Sequence, residues 1–432
     1  MNKLISFLFY SLVLFSCSKE EKPTSIPSQS SEPNILLIIA DDMGLDAAPG
    51  YNIGTTKPNI PNVQNIINNG ILFNNFWVNP TCTPTRASII TGKYAFRTQV
   101  TKVGDELSTT EVSLQKYLSL NTSYSNAVIG KWHLSRNANH PSDMGVDYYT
   151  GFLNGTMPSY TNWDLTENGQ TNKSTDYSTT KFTDLSIDWI NQQTSPWFLW
   201  LAYNAPHSPF HLPPTNLHTY GDLPADQASI DANPLPYYLA MIEAMDTEIG
   251  RLLNAMSEEV RNNTIIIFIG DNGTPNNVAQ EFSSRRVKET VYKGGVNVPM
   301  YISGKGVSRI NEEENALING TDLFSTIANI AGVSTTEIND SKSFKGLLTD
   351  SNSNSRDYIY SEIGKTNGDS DYTIGNKTHK YIYFEDGSEA LFNLNENPME
   401  NPNLLSTNQL PLSDEDEAQK EVLLQKLAEI RH

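Results

Sequence analysis

Asn34-Ile35-Leu36-Leu37-Ile38-Ile39-Ala40 is an unbroken apolar run, and it stops at two adjacent carboxylates, Asp41-Asp42. A short run with no polar break reads as a strand buried on both faces of a sheet. Three more runs share that character: Ala127 to Trp132, Trp197 to Tyr203, and Thr264 to Gly270. Amphipathic stretches lie between them. Leu239 to Met256 puts Ile242, Met245, Ile249, Leu252, Leu253 and Met256 on one helical face. Phe182 to Ile190 and Thr321 to Ala331 repeat the pattern more weakly. Strands alternating with helices over 34–350 predict an α/β sandwich, with a large, mostly parallel central sheet between helices. From 351 to 432 the character changes. Tyr358 to Ile363, His379 to Phe384 and Glu389 to Leu394 read as short strands, Asp386-Gly387 as a turn, and a charged helix closes the chain. This predicts a small C-terminal α+β subdomain with an antiparallel sheet. The Asn-, Thr- and Ser-rich stretch 154–180 reads as a long surface loop.

Composition bounds the function. The chain has 432 residues, 49 acidic against 30 basic, a formal net charge of −19, and two cysteines. Two cysteines exclude a disulfide-built scaffold, and the aromatic content excludes a disordered chain. The acidic balance excludes a nucleic-acid partner, because phosphate backbones reward clustered Lys and Arg. An anionic substrate is a different matter, since local charge at a site outweighs a distant surface screened by salt.

The first residues read as targeting, not fold. Lys3 supplies a positive charge and Leu4 to Phe15 an apolar run of 12 residues, too short to span a bilayer. Leu14-Phe15-Ser16-Cys17 resembles the cleavage box of bacterial lipoprotein precursors, with 1–16 as signal peptide and Cys17 as the lipidated residue. An ordinary secretory signal with an incidental cysteine is the other reading. Ser18-Lys19-Glu20-Glu21 is similar to the acidic export tag of surface lipoproteins, and 17–33 reads as a flexible tether. The expected location is the cell envelope, at the outer membrane and exposed at the surface, with its periplasmic face as the alternative. The membrane is met through the lipid alone.

Two buried strands end in carboxylates: Asp41-Asp42 after the first, Asp271-Asn272-Gly273 after Thr264 to Gly270. In an open α/β sheet, ligands bind beyond the carboxyl ends of strands. A single Asp there is a turn or cap. Two tandem sites, all-oxygen and mutually repulsive without a cation, point to a hard divalent ion, Ca²⁺ or Mg²⁺. Thr81-Cys82-Thr83-Pro84-Thr85-Arg86 comes next. Pro84 suits a first helical position, which sets Cys82 just before a helix N-terminus, where anions are favoured. Arg86 lies about a turn further on. A thiolate is a poor ligand for an oxygen-preferring metal, so an untouched cysteine fits this place badly.

Cys82-Thr83-Pro84-Thr85-Arg86 resembles the signature of the type I sulfatases, in which the cysteine is oxidised to formylglycine by a formylglycine-generating enzyme. The order of other segments extends the resemblance over roughly 34 to 405. Gly130-Lys131-Trp132-His133-Leu134 follows a strand, and strand alternation would set Lys131 and His133 on one face. Ala205-Pro206-His207-Ser208-Pro209, Lys288-Glu289-Thr290, Met144 to Tyr148 and Asn397 to Asn401 also match family segments, the last two as structural ones. The resemblance implies an alkaline phosphatase-like fold. It implies a metal, Ca²⁺ or Mg²⁺, held by Asp41, Asp42, Asp271, Asn272 and residue 82. It also implies that Arg86, Lys131 and Lys288 grip the sulfate, that His207 protonates the leaving oxygen, and that His133 helps expel sulfate from residue 82. One departure stands out. Where the family often has Glu and Arg, this chain has Lys293 and Asn297 in Tyr292-Lys293-Gly294-Gly295-Val296-Asn297.

The expected function is therefore removal of sulfate esters from a sulfated polysaccharide or oligosaccharide. Arg136, His140, His211, Arg285 and Arg286 lie near the motifs and are candidates for sugar subsites. The alternatives are a phosphodiesterase or phosphonate monoester hydrolase of the same superfamily, and a non-catalytic glycan-binding lipoprotein with Cys82 unmodified.

Overall fold

β1 (Asn34–Ala40) is buried at every position, as its composition demands. Leu36, Ile38 and Ala40 enter the apolar core on one face of the sheet, and Ile35, Leu37 and Ile39 the core on the other. Each aliphatic side chain so buried is worth about 1.5–3 kcal/mol relative to exposure, which pins the strand to the sheet's centre. The computed structural model describes residues 32–335, 337–365 and 368–432. The signal peptide expected over 1–16, Cys17, and all but the last two residues of the tether lie outside the described residues.

Along the chain the main sheet adds β2 (Gly70–Phe73), β3 (Ser125–Lys131), β4 (Tyr148–Phe152), β5 (Trp163–Glu167) and β6 (Gln170–Ser174). It continues with β7 (Trp197–Ala202), β8 (Thr264–Gly270), β9 (Met300–Gly304) and β10 (Glu312–Glu314). The spatial order is β10-β2-β9-β8-β1-β7-β3-β4-β5-β6. The central strands β8, β1, β7, β3 and β4 are parallel, and antiparallel pairs lie toward both edges. Ile38 stands level with Leu201 of β7 and Phe268 of β8, so the carboxyl ends of these three strands open at one height. Helices cover both faces. α2 (Ser178–Ile190) and α4 (Leu235–Ala255) pack on one core through Phe182, Trp189, Ile242 and Met245. α1 (Cys82–Thr91) and α5 (Asp322–Ile330) pack on the other through Ile89, Ile90, Phe324 and Ile327. A short helix, α3 (Gln227–Ala232), precedes α4.

The expected α/β architecture holds, with corrections. α4 begins at Leu235, four residues before the expected start. The stretch 154–180 is not one long loop. It contains the β5–β6 hairpin, turned by Asn168-Gly169 with φ of 45° and 86°, and α2 starts inside it at Ser178. Asn-Gly is the residue pair that such a tight turn prefers, because both central residues need positive φ. Trp163, fully buried, holds the hairpin to the body.

The C-terminal sheet has four strands, not three: β11 (Ile359–Gly364), β12 (Ser370–Gly375), β13 (His379–Tyr383) and β14 (Glu389–Asn393), in that order and antiparallel. α6 (Asp414–Arg431) lays Leu423 and Leu427 against Tyr360, Ile374, Tyr381 and Leu391. Residues 32–432 form one compact unit. The sheet joins the main body through Ile359 packed with Trp77, Val296 and Leu317, through Lys380, whose ammonium lies over the Trp77 ring, and through Glu400, which accepts from the Lys293 backbone N–H. No helix among the described residues is long and apolar enough to cross a membrane.

Candidate active site

Beyond the carboxyl ends of β1 and β8, the chain turns sharply and brings its acids together. Asp42 has φ 73°, and its backbone N–H donates to Asp271 Oδ1 at 3.1 Å. Asn272 Nδ2 donates to Asp42 Oδ1 at 2.7 Å. Asp41, Asp42, Asp271 and Asn272 are all buried.

Cys82 is itself the first residue of α1, with Thr81 as the cap in extended conformation. Pro84 is thus third in the helix and not first, a shift that still leaves Cys82 at the positive end of the helix. One turn on, Arg86 is fully buried. Its Nη2 meets Asp271 Oδ2 at 2.7 Å and Asp41 Oδ2 at 3.9 Å, and its Nη1 donates to the Lys131 carbonyl at 2.9 Å. Lys131, the last residue of β3, donates its ammonium to Asp41 Oδ2. Lys288 Nζ reaches both oxygens of Asp42, at 2.6 and 2.8 Å. His207 turns Nε2 toward Asp42 Oδ2 at 3.7 Å, while its Nδ1 lies 2.7 Å from the Ser208 carbonyl.

His133 reaches the site by a route other than strand alternation. β3 ends at Lys131, and His133 sits in a left-handed turn with φ 56°. Its Nδ1 is 3.2 Å from Cys82 Sγ, and its Nε2 is 3.0 Å from Thr83 Oγ1. Gly155 lies against the ring so closely that a Cβ there would come within 2.5 Å of it. Thr83 and Gly155 escaped the sequence reading, since neither carries a charge or a metal-binding group and their partner is 50 and 22 residues away in sequence.

Electrostatics divides these groups. Burial, and then the nearby carboxylates Asp41 and Asp271, push the Cys82 thiol up to about 11, so sulfur here stays protonated at neutral pH. Burial and the charges of Lys131 and Arg86 hold His133 far below its ordinary value, as a neutral imidazole. Burial also lowers His207, against the pull of Asp42 and Asp41. Burial and the Asp41 carboxylate raise Asp271. Asp42 overcomes its burial and is lowered by Lys288 and His207.

The donor set fits a hard cation. Asp41 Oδ1 and Asn272 Oδ1 are buried with no hydrogen-bond partner, a costly state that a bound ion relieves. Asp41, Asp42 and His207 bring one ligand atom each within 4.8 Å of one another. Of these three, the carboxylate oxygens are a better match to a hard ion than the His207 nitrogen.

The structure separates the subsite candidates. His140 is buried, with Nδ1 taken by Trp132 Nε1 at 3.0 Å and Nε2 by the Leu107 carbonyl at 2.7 Å, so it is a packing residue and not a sugar contact. His211 is likewise committed, between the rings of Tyr160 and Tyr177, with its nitrogens on the Pro209 carbonyl and Tyr177 Oη. Arg286 stacks on Tyr292 and donates to the Glu400 carbonyl. Arg136 and Arg285 are exposed, and neither lines the cleft beside Asp42 and Lys288. As for Lys293 and Asn297, the Lys293 backbone N–H donates to Glu400 Oε2 at 2.8 Å and Asn297 Nδ2 to the Asn74 carbonyl at 3.0 Å. Lys293 thus ties the main body to the C-terminal region, Asn297 holds a main-body turn, and both stand outside the catalytic cluster.

Fold and site together define an α/β protein that gathers three buried carboxylates, the cations Arg86, Lys131 and Lys288, and a helix-borne residue 82 at the carboxyl ends of its central strands. The chain belongs to the sulfatase family, whose family model, described as Sulfatase, matches residues 33–333. A second model, described as N-sulphoglucosamine sulphohydrolase, C-terminal, matches residues 285–430. The chain is 28% identical over 341 residues to Arylsulfatase J of Mus musculus, covering 72% of this chain and 54% of that protein. It is 26% identical over 341 residues to N-acetylgalactosamine-6-sulfatase of Mus musculus, covering 70% and 63%. It therefore spans between half and two thirds of the length of these relatives. Among solved structures, Ps i-CgsB in complex with a neocarrahexaose superposes with a TM-score of 0.77, 22% identity and 92% of both chains covered. A protein solved with its substrate D-glucosamine-2-N,6-O-disulfate gives 0.75, 21% identity, and 92% and 97% covered. At those identities the likeness is one of fold.

Proposed function

We propose that this protein is a sulfuric ester hydrolase acting on a sulfated glycan, with residue 82 as nucleophile after oxidation to formylglycine. The observation that carries this is the juxtaposition at residue 82: a neutral His133 3.2 Å from Sγ, at the start of a helix, facing Arg86, Lys131 and Lys288. Family membership and the glycan ligands named for the structural neighbours add to it. The unmodified thiol is protonated and suits neither nucleophilic attack nor an oxygen-preferring metal, a mismatch that supports oxygen chemistry at this position.

Asp41, Asp42, Asp271, Asn272 and residue 82 would hold the cation, Ca²⁺ in this proposal. When bound, the cation draws negative charge from the sulfate oxygens, and the oxidised residue 82 supplies a hydroxyl nucleophile. The chain's own residues do the rest. Arg86, Lys131 and Lys288 neutralise charge gathering on sulfate as it transfers, a role worth about 10²–10³ in rate per donor in comparable sites. His207 Nδ1–H donates to the Ser208 carbonyl, which leaves Nε2 toward the cleft. When a second proton is bound at Nε2, the ring gives that Nε2 proton to the departing sugar oxygen and returns to the neutral form that burial favours. His133 gives Nε2–H to Thr83 Oγ1 and keeps the Nδ1 lone pair toward residue 82, ready to take the proton of its hydroxyl.

The test is sulfate release from defined sulfated oligosaccharides by enzyme co-produced with a formylglycine-generating enzyme, with mass spectrometry of the residue-82 peptide. Release is expected to vanish in Cys82→Ala and on chelation, and to return with Ca²⁺. Undiminished release by Cys82→Ala would overturn the proposal. We also propose that the mature chain starts at a lipidated Cys17 and acts at the outer membrane. Fatty-acid labelling that persists in Cys17→Ala would refute this.

A further inference from the structure

Beside Asp42 and Lys288 opens a cleft of about 740 Å³, continued by Ser208 and Pro209, which follow His207. The oxygen that His207 protonates must lie toward this cleft, so the sugar released from sulfate occupies it. The charges on its walls are unbalanced. Its one cation among the described residues is Lys288, already bound to both oxygens of Asp42. Against it stand two exposed carboxylates, Asp231 on α3 and Glu289 next to Lys288. Gln227 Nε2 donates to Asp231 Oδ1 at 2.7 Å and so orients that carboxylate. The remaining polar walls are neutral, the amides of Asn276 and Asn277 and the hydroxyls of Ser284 and Thr290, and the apolar ones include Phe210 and Ile230. Arg286, the neighbouring cation with a fixed side chain, faces Glu400 and Tyr292 instead.

Carboxylates and amides are good partners for sugar hydroxyls, and apolar walls for the C–H face of a ring. For a second sulfate or a uronate carboxylate they are poor, since like charges meet there with no cation to pair them. We infer that the sugar bearing the scissile sulfate is otherwise neutral, and that Asp231 and Glu289 exclude a second anionic group from it. This rests on the sulfatase proposal above and adds to it a substrate class and two specificity-determining residues.

The experiment compares kcat/KM for methyl galactosides and glucosides with one sulfate, at C2, C3, C4 or C6, and for counterparts carrying a second sulfate or a C6 carboxylate. The wild-type enzyme is expected to favour the best singly charged compound over its doubly charged counterpart at least tenfold at low salt. Asp231→Asn and Glu289→Gln should each narrow that ratio severalfold, Asp231→Lys should narrow it further, and 0.5 M NaCl should narrow it in the wild type. A ratio is indifferent to the fraction of enzyme folded or matured. Release with a ratio at or below one, or a ratio unmoved by all three variants, overturns the inference and leaves the sulfatase proposal standing. Release from none of the compounds, nor from a sulfated polysaccharide, overturns both.

Discussion

At the scale of single residues, the site is a balance of charges. Asp41, Asp42 and Asp271 face Arg86, Lys131 and Lys288, three against three, all drawn out of bulk water. A divalent cation added to this neutral set leaves a surplus of two positive charges, suited to a sulfate group. Each cation holds a carboxylate in place and, in the proposed reaction, also meets the substrate. Replacing Lys131 with Met should lower kcat/KM by at least 100-fold. It should also weaken metal retention, because Asp41 loses the partner that orients it; retention equal to wild type in equilibrium dialysis would contradict that second role. His211 yields a prediction about stability. Burial, partly offset by its contact with the Pro209 carbonyl, lowers it from 6.5 to about 4. The unfolded chain then binds the proton first as pH falls, so stability from this residue is complete above 6.5 and drains away toward 4. The loss is about 2 kcal/mol once partial solvent access is counted. His211→Gln should flatten that acid limb in urea titrations between pH 7 and 4.5; an unchanged slope would show that the ring titrates normally.

At the scale of elements, what a sequence reveals depends on whether one face or two faces are buried. β1 and β8 match their expected bounds residue for residue, because apolar runs bounded by Asp leave no other register. β5, β6 and β12 do not stand out in the sequence because polar and charged residues interrupt them, and their polar halves look like loop. The catalytic motifs were legible as short strings. The left-handed turn that aims His133 was not, since positive φ at a non-glycine residue leaves no mark in composition. Nor was Asp231, which comes to line the same cleft as Lys288 only in the folded chain. The docking of the C-terminal sheet was equally hidden. Lys380 is fully buried, its ammonium 4.7 Å from the Trp77 ring centre and paired with Glu400, whose other oxygen accepts from Lys293 N–H. Glu400→Ala would strand the ammonium in a dry interior, at a cost of about 3–5 kcal/mol. Replacing both partners with apolar residues, as Lys380→Met with Glu400→Leu, should cost less than Glu400→Ala alone. A shift in urea midpoint at constant slope is the measure, and a double variant at least as unstable as the single one would show that Glu400 acts chiefly through Lys293.

For the whole molecule, the formal charge of −19 and the cationic cluster act over different distances. A monosaccharide sulfate near the site meets the cluster first. A sulfated polysaccharide extends many residues beyond the cleft and meets the acidic surface as well, and that repulsion slows its approach. Salt separates the two effects. The screening length is about 30 Å at 0.01 M and about 8 Å at 0.15 M, so surface repulsion reaches across much of the molecule in the first case and fades near the surface in the second. Raising NaCl from 0.01 to 0.15 M should therefore increase kcat/KM on the polymer by about tenfold. On the monosaccharide sulfate the same change should leave kcat/KM level or lower it, because only the attraction near the cluster is screened. A change in kcat alone would point to the chemistry or to product release, so the ratio kcat/KM, which follows encounter, is the quantity to compare. If the polymer's kcat/KM falls with salt as steeply as that of the monosaccharide, a cationic track must lead into the cleft. The acidic wall formed by Asp231 and Glu289 would then have to lie outside the polymer's path.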